Sequence, residues 1–163
     1  MSENFQRMIQ LANETFAVHN DPQQLDVDDE IIARLQKLHS ATLTQHTVGD
    51  GPVIWILLIP TTTAIMNDFI TEKIGENEML DRTEPGTSYD CIYLCSALTL
   101  PEFRNKGLTR KLTIDAIEQI KKDHPIKNLF VWNFSKEGEW LSKAIAMQLD
   151  LPLFERARKY STQ

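Results

Sequence analysis

Leu98-Thr99-Leu100-Pro101-Glu102-Phe103-Arg104-Asn105-Lys106-Gly107-Leu108-Thr109 decides how this chain folds. Upstream, residues 89–100 are apolar on both faces, the pattern of a central strand covered on each side. Pro101 has no N–H to give to a sheet and stops the pairing. Downstream, residues 104–123 place Leu108, Leu112, Ala116, Ile117 and Ile120 in one stripe, as an amphipathic helix does. His124-Pro125 closes that helix. Residues 128–134 read as a second buried strand, and 137–149 as a helix with Trp140, Leu141, Ala144 and Ile145 turned inward. A strand, a crossover helix and a strand predict a right-handed parallel pair.

The flanks add antiparallel strands and covering helices. Residues 4–19 read as a helix with Phe5, Met8, Ile9, Ala12 and Phe16 on one face, broken at Asn20-Asp21-Pro22. Residues 28–39 read as a second helix, its acidic start suited to the positive end of the helix dipole. Segments 41–48 and 53–59 flank Gly49-Asp50-Gly51-Pro52, a hairpin signal. Residues 61–74 read as a helix with Gly75 near its end, and polar residues 76–88, with Pro85-Gly86, as a loop. Residues 151–163 add a short last strand. The expected architecture is α/β: one domain spanning 1–163, with a single-layer, mixed, mostly antiparallel sheet, a parallel central pair, and helices on both faces.

Composition narrows the function classes. With 163 residues, 42% of them hydrophobic, the chain can bury a core without disulfides or metal. Its net charge of −6 argues against nucleic acid or anionic membrane as the main partner. No apolar run nears the roughly 20 residues of a membrane helix, and residues 1–10 are polar, so the cytoplasm is the expected compartment. Cys91 and Cys95 lie about 13 Å apart along a strand, too far for a disulfide, and read as packing residues. The four histidines are scattered without metal-ligand spacing, so no metal is expected. No Gly-x-Ser-x-Gly turn or P-loop is present.

The strand–helix junction carries the chemistry. The first N–H groups of a helix have no intrahelical partner and lie at its positive end, which makes an anion site. Gly107 offers close approach there. Arg104, Lys106, Arg110 and Lys111 put four cations within eight positions of an acidic chain.

Pro101-Glu102-Phe103-Arg104-Asn105-Lys106-Gly107-Leu108-Thr109 resembles motif A of the GNAT N-acyltransferase superfamily, Arg/Gln-x-x-Gly-x-Gly/Ala after a strand end. The resemblance covers the second half of the chain and extends to the first half only by element order. It implies a GNAT-like fold whose two central strands splay apart, with acetyl-coenzyme A as co-substrate and a small-molecule or protein amine as acceptor. Leu98 and Leu100 would offer main-chain hydrogen bonds to the pantetheine arm. Arg104, Asn105, Lys106, Gly107, Leu108 and Thr109 would hold the pyrophosphate.

This chain departs from the pattern in several places. The last motif position is Thr109, whose hydroxyl either crowds the phosphate or donates to it. No Tyr lies in 136–151, where the family commonly carries the acid that protonates the departing thiolate. Little chain follows Phe154 for a last hairpin, and the helix at 61–74 stands where the family has a third antiparallel strand. Tyr93, Asp90 and Glu139 are candidate acid–base groups, but packing, loop-end solvation and helix-dipole support respectively account for them. No catalytic residue is assigned. The alternative function is a catalytically weak or inactive coenzyme A-binding or protein-interaction module, the N-terminal helices offering a possible homodimer surface. The acceptor is set by loops that the sequence does not decode.

Overall fold

The computed structural model describes residues 2–19, 25 and 28–157. The break expected at 20–22 and the tail beyond 157 lie outside them. In chain order the elements are α1 (Glu3–His19), α2 (Asp29–Leu38), β1 (Leu43–Val48), β2 (Gly51–Thr61), α3 (Thr63–Ile70), α4 (Glu76–Arg82), β3 (Cys91–Thr99), α5 (Leu108–Asp123), β4 (Asn128–Trp132), α6 (Lys136–Leu149) and β5 (Leu153–Arg156). Five strands form one sheet in the order β1-β2-β3-β4-β5. The β1–β2 and β2–β3 pairs are antiparallel, and β3–β4 and β4–β5 are parallel. The sheet is mixed, with helices on both faces, as the sequence implies; its parallel part extends one strand further, to β5.

β2 anchors the core. All but one of its residues are buried, so both faces are covered. Its Trp55 side chain meets α1, where the Phe5 ring packs edge-on against it at 5.9 Å. Ile59 on the same face pairs with Tyr93, which packs against Phe69 of α3. α1 and α3 therefore share one side of the sheet. α5 lies on the other, beside α6, and buries Ile114, Ala116, Ile117 and Ile120. Met8 of α1 is fully buried, whereas Ile9, expected on the same face, is 40% exposed.

Three local readings change. The helix expected at 61–74 starts at Thr63, because β2 runs on to Thr61 and the Thr62 hydroxyl caps the Ile65 N–H. The loop expected at 76–88 contains α4, a short helix with two acids in its first turn and Arg82 in its last. The helix expected from Arg104 starts four residues later, at Leu108, since Asn105 (φ 62°) and Gly107 (φ 75°) are left-handed and cannot be helical.

The feature that makes the site lies between β3 and β4. Their register covers Cys91–Asn128, Ile92–Leu129 and Tyr93–Phe130, and then stops. β3 runs on six more residues toward Thr99, and β4 two more to Trp132, without pairing with each other. β3 departs where it bulges: Leu58 faces Leu94 and Leu57 faces Ser96, so Cys95 is the extra residue. A bulge bends its strand and increases the local twist. Here that bend separates the two central strands.

Candidate active-site cleft

The diverging strands open a cleft of about 1100 Å³. β3 and β4 form its walls, the starts of α5 and α6 flank its mouth, and Glu76 of α4 reaches its floor. Seven of the eight residues singled out in the sequence line it: Leu98, Arg104, Asn105, Lys106, Gly107, Leu108 and Thr109.

The mouth is built by the chain that climbs from β3 into α5. Pro101–Phe103 makes one 3-10 turn, then Asn105 and Gly107 take left-handed conformations. Left-handed residues in such a turn aim successive N–H groups into one concavity, a geometry suited to an anion. Gly107 is the helix N-cap and has no side chain to cap with. The first intrahelical bond near it is Lys111 N–H to the Gly107 carbonyl, at 3.0 Å. Among the described residues, no acceptor occupies the N–H groups of Leu108, Thr109 or Arg110. A β-carbon added at Gly107 would meet only the Arg110 guanidinium, at 4.0 Å. Space is thus open on that side, and the need for glycine is conformational.

Thr109, the departure from the motif, is turned aside. Its hydroxyl is 2.6 Å from that of Thr99, so it ties the helix start to the strand end and leaves the concavity clear. Arg104 is exposed, and its Nε donates to the Thr99 carbonyl at 2.9 Å, which fixes its guanidinium at the mouth. Lys106 extends over the Phe103 ring at 5.8 Å. Lys111 turns away to pair with Asp115, at 3.2 Å. These residues fit a pyrophosphate: oriented main-chain donors, two nearby cations and an unobstructed approach.

The strand-edge assignment needs correction. Leu100 is 1% exposed and its N–H donates to the Val53 carbonyl at 2.9 Å. Main-chain groups along an antiparallel strand alternate between partner and opposite side. Leu98 stands two residues earlier in unbroken register, so it also addresses β2. The edge facing the gap belongs to Ala97 and Thr99, and the Arg104–Thr99 bond shows that parity directly. Leu98 and Leu100, expected at the gap, are therefore one residue out of phase with it.

The floor is buried and polar. Glu76 is 5% exposed. Its Oε1 accepts the Leu25 N–H at 2.6 Å, and its Oε2 accepts the Tyr93 hydroxyl and lies 3.9 Å from Cys95 Sγ. Burial raises the Glu76 pKa above the usual carboxylate range, against the Tyr93 and Leu25 hydrogen bonds and the charge of Arg156, all of which favour the anion. Burial, and then the Glu76 charge, hold the Tyr93 and Cys95 protons well above their ordinary pKa values, so both are neutral donors. Arg156 of β5 is 2% exposed and lies between the rings of Phe69 (4.6 Å) and Trp132 (4.3 Å). Its Nη1 donates to the Ile74 carbonyl at 2.7 Å, which holds the segment entering α4.

Sequence reasoning missed Glu76 because it read that segment as loop. The signal was present in Gly75-Glu76-Asn77-Glu78-Met79-Leu80-Asp81-Arg82: acids at the start, adjacent apolar residues and a terminal base make a short capped helix. Trp140, expected inside, is 66% exposed on the cleft wall. Among the described residues α6 carries no tyrosine, and no group of three or more His, Cys, Asp or Glu side chains could hold a metal ion.

No protein-family model matches the chain, and no curated protein matches its sequence. Among solved structures, an apo aminoglycoside antibiotic 6'-N-acetyltransferase from Acinetobacter haemolyticus is similar over 100% of this chain and 95% of its own, at 16% identity and a TM-score of 0.45. That likeness is too loose to decide fold or activity, so the functional reading rests on the chain's own geometry. No helix among the described residues is long and apolar enough to cross a membrane.

Proposed function

We propose that this chain is an acyl-coenzyme A-dependent N-acyltransferase of GNAT-like architecture, using acetyl-coenzyme A and an amine acceptor. One observation carries the reading: a cleft opened by the divergence of two parallel central strands ends at an uncapped helix start rich in free N–H groups. The turn from Arg104 to Arg110 would hold the pyrophosphate. The gap-facing main chain of Ala97 and the Thr99 N–H would meet a pantetheine amide, the Thr99 carbonyl being already bonded to Arg104 Nε.

The chemistry follows from that placement. The acceptor enters as an ammonium and loses one proton to a base. The nitrogen lone pair attacks the thioester carbonyl carbon, the carbon–sulfur bond breaks, and sulfur leaves with the electron pair. The second nitrogen proton neutralises the thiolate. The products are the amide, coenzyme A thiol and one released proton. With no tyrosine in α6, the thiolate takes its proton from the nitrogen or from water. A module that binds coenzyme A without turning over is the second reading, and the missing tyrosine favours it.

Calorimetric titration with acetyl-coenzyme A tests the binding. Saturable heat that Gly107→Val suppresses is the expected result. No heat at millimolar ligand ends the proposal. Binding without thiol release across a broad amine panel selects the second reading.

A further inference from the structure

The two ends of the cleft carry opposite charge. Arg104 and Lys106 stand at the mouth, where donors face out of a helix start. The floor holds a buried carboxylate, Glu76, at the point where β3 bulges at Cys95 and parts from β4. This acid comes from α4, outside the strand–helix–strand unit on which the cofactor reading is built. The geometry points to Glu76 as the group that receives the acceptor's ammonium at the cleft floor and accepts its proton, with Tyr93 as its positioning residue. This inference rests on the acyltransferase reading and assigns the acceptor end of that same cleft.

Three observations support it. First, Glu76 lines the cleft whereas Tyr93 does not, and the Tyr93 hydroxyl donates to Glu76 Oε2. Second, its neighbours leave capacity for another donor. A carboxylate offers about four lone-pair directions. The Leu25 N–H takes one on Oε1, and the Tyr93 hydroxyl and the distant Cys95 thiol approach Oε2, so among the described residues Oε1 retains an acceptor position. Third, among the described residues the charged or titratable groups that act on Glu76 are Tyr93 and Cys95 on β3, both neutral, and Arg156 on β5, whose charge favours the anion. Burial opposes them and raises the proton affinity. A base with that balance takes a proton from an ammonium more readily than a solvated carboxylate does.

The step balances without a further reagent. The ammonium and the Glu76 carboxylate become a neutral amine and a carboxylic acid. The amine keeps the lone pair that attacks the thioester, and the acid returns its proton to water after product leaves. An acceptor chosen this way is a primary alkylamine, its cation drawn past an apolar wall to one buried anion. A second carboxylate or a phosphate on the acceptor would be repelled from the floor.

The test uses the whole chain with glutamate labelled at the side-chain carboxyl carbon, the Glu76 resonance being the one lost in Glu76→Gln. The probe is n-butylammonium, with n-pentanol as an uncharged control of similar length, each titrated with coenzyme A present. The Glu76 resonance should move saturably with the ammonium and not with the alcohol. Glu76→Gln should bind coenzyme A as before and the ammonium about tenfold more weakly or worse. Tyr93→Phe should leave both ligands bound but move the Glu76 titration midpoint to higher pH, because it removes a donor that favours the anion. A merely structural Glu76 gives no response to ammonium. A resonance that ignores the ammonium, an equal response to pentanol, or a Tyr93→Phe midpoint that stays or falls overturns the inference. If Glu76→Gln does not fold, Glu76→Asp, which also removes that glutamate resonance, supplies the assignment, and Tyr93→Phe and the wild-type titration still decide it. Coenzyme A binding in the same samples separates the two readings: its loss with Glu76 still responding breaks the acyltransferase proposal alone, and its presence with Glu76 silent breaks this inference alone.

Discussion

The mouth and the floor of the cleft are made in opposite ways. The mouth is one continuous segment, Thr99 to Arg110, and presents mainly main-chain N–H groups that a turn of fixed geometry aims outward. The floor is assembled from side chains on α4, β3 and β5, joined by one main-chain N–H from Leu25, with Glu76 and Arg156 buried. A site built on backbone tolerates side-chain change but not conformational change. A site built on buried charge tolerates neither loss of a partner nor loss of packing.

The sharpest way to break that contrast is Arg156→Ala. It removes a guanidinium enclosed by Phe69 and Trp132 and strips the Ile74 carbonyl of its donor. Stability should fall by about 3 kcal/mol, from the cavity and the abandoned acceptor together. Urea unfolding measures it. A loss below about 1 kcal/mol would mean that the floor is not held as described.

Gly107→Val asks the complementary question at the mouth. A β-branched residue at φ 75° costs about 1–2 kcal/mol of strain, so the turn either stays strained or rearranges. Acetyl-coenzyme A affinity should fall about tenfold or more, while urea unfolding registers only the strain. Unchanged affinity would show that this turn does not hold the ligand.

The contrast also explains what could be read in advance. Every mouth residue sits within twelve positions of Thr99, and local rules for strand ends, proline, glycine and helix starts reach that far. The strand–helix–strand unit and the hairpin were legible for the same reason: period and turn chemistry are local. That Leu98 and Leu100 turn their main chain to β2 was not legible, because phase depends on which β2 residue faces which, a non-local fact carried by Val53. Glu76 was invisible as a site residue because it meets Tyr93 across 17 positions and Leu25 across 51. Trp140 was placed inside by helical period alone. Whether a neighbour covers that face is tertiary information, and on the cleft wall none does.

A smaller effect tests how firmly the mouth is tied to the sheet. The Thr99 and Thr109 hydroxyls lie 2.6 Å apart in a half-buried position. A double-mutant cycle with Thr99→Val and Thr109→Val should give a coupling of about 1 kcal/mol in unfolding. Acetyl-coenzyme A affinity should change little in Thr109→Val, because that hydroxyl points at the strand. A large affinity loss would mean that the hydroxyl serves the ligand, and that the mouth also depends on a side chain.

The smallest effect sets an acid near the mouth against the acid of the floor. Glu102, on the turn leading to α5, accepts two hydrogen bonds from the Arg7 guanidinium, at 2.6 and 2.7 Å. The Arg7 hydrogen bond lowers its pKa to about 2, below the ordinary 4.5. A depressed folded-state pKa gives stability that is present above the unfolded value and lost as pH falls from 4.5 toward 2. Glu76 has the opposite sign: its folded-state pKa is raised by burial, so its contribution is most favourable below the unfolded value and declines as pH rises through the folded one. The stability difference between wild type and Glu102→Gln should therefore shrink on acidification, and should also shrink with added salt, because the pair is solvent-exposed. Wild type measured against Glu76→Gln should instead gain relative stability on acidification and respond little to salt. Denaturant midpoints taken across acid pH at two ionic strengths would read both slopes. Slopes of the same sign would show that the floor carboxylate is solvated, and the division between a backbone mouth and a buried-charge floor would fall with it.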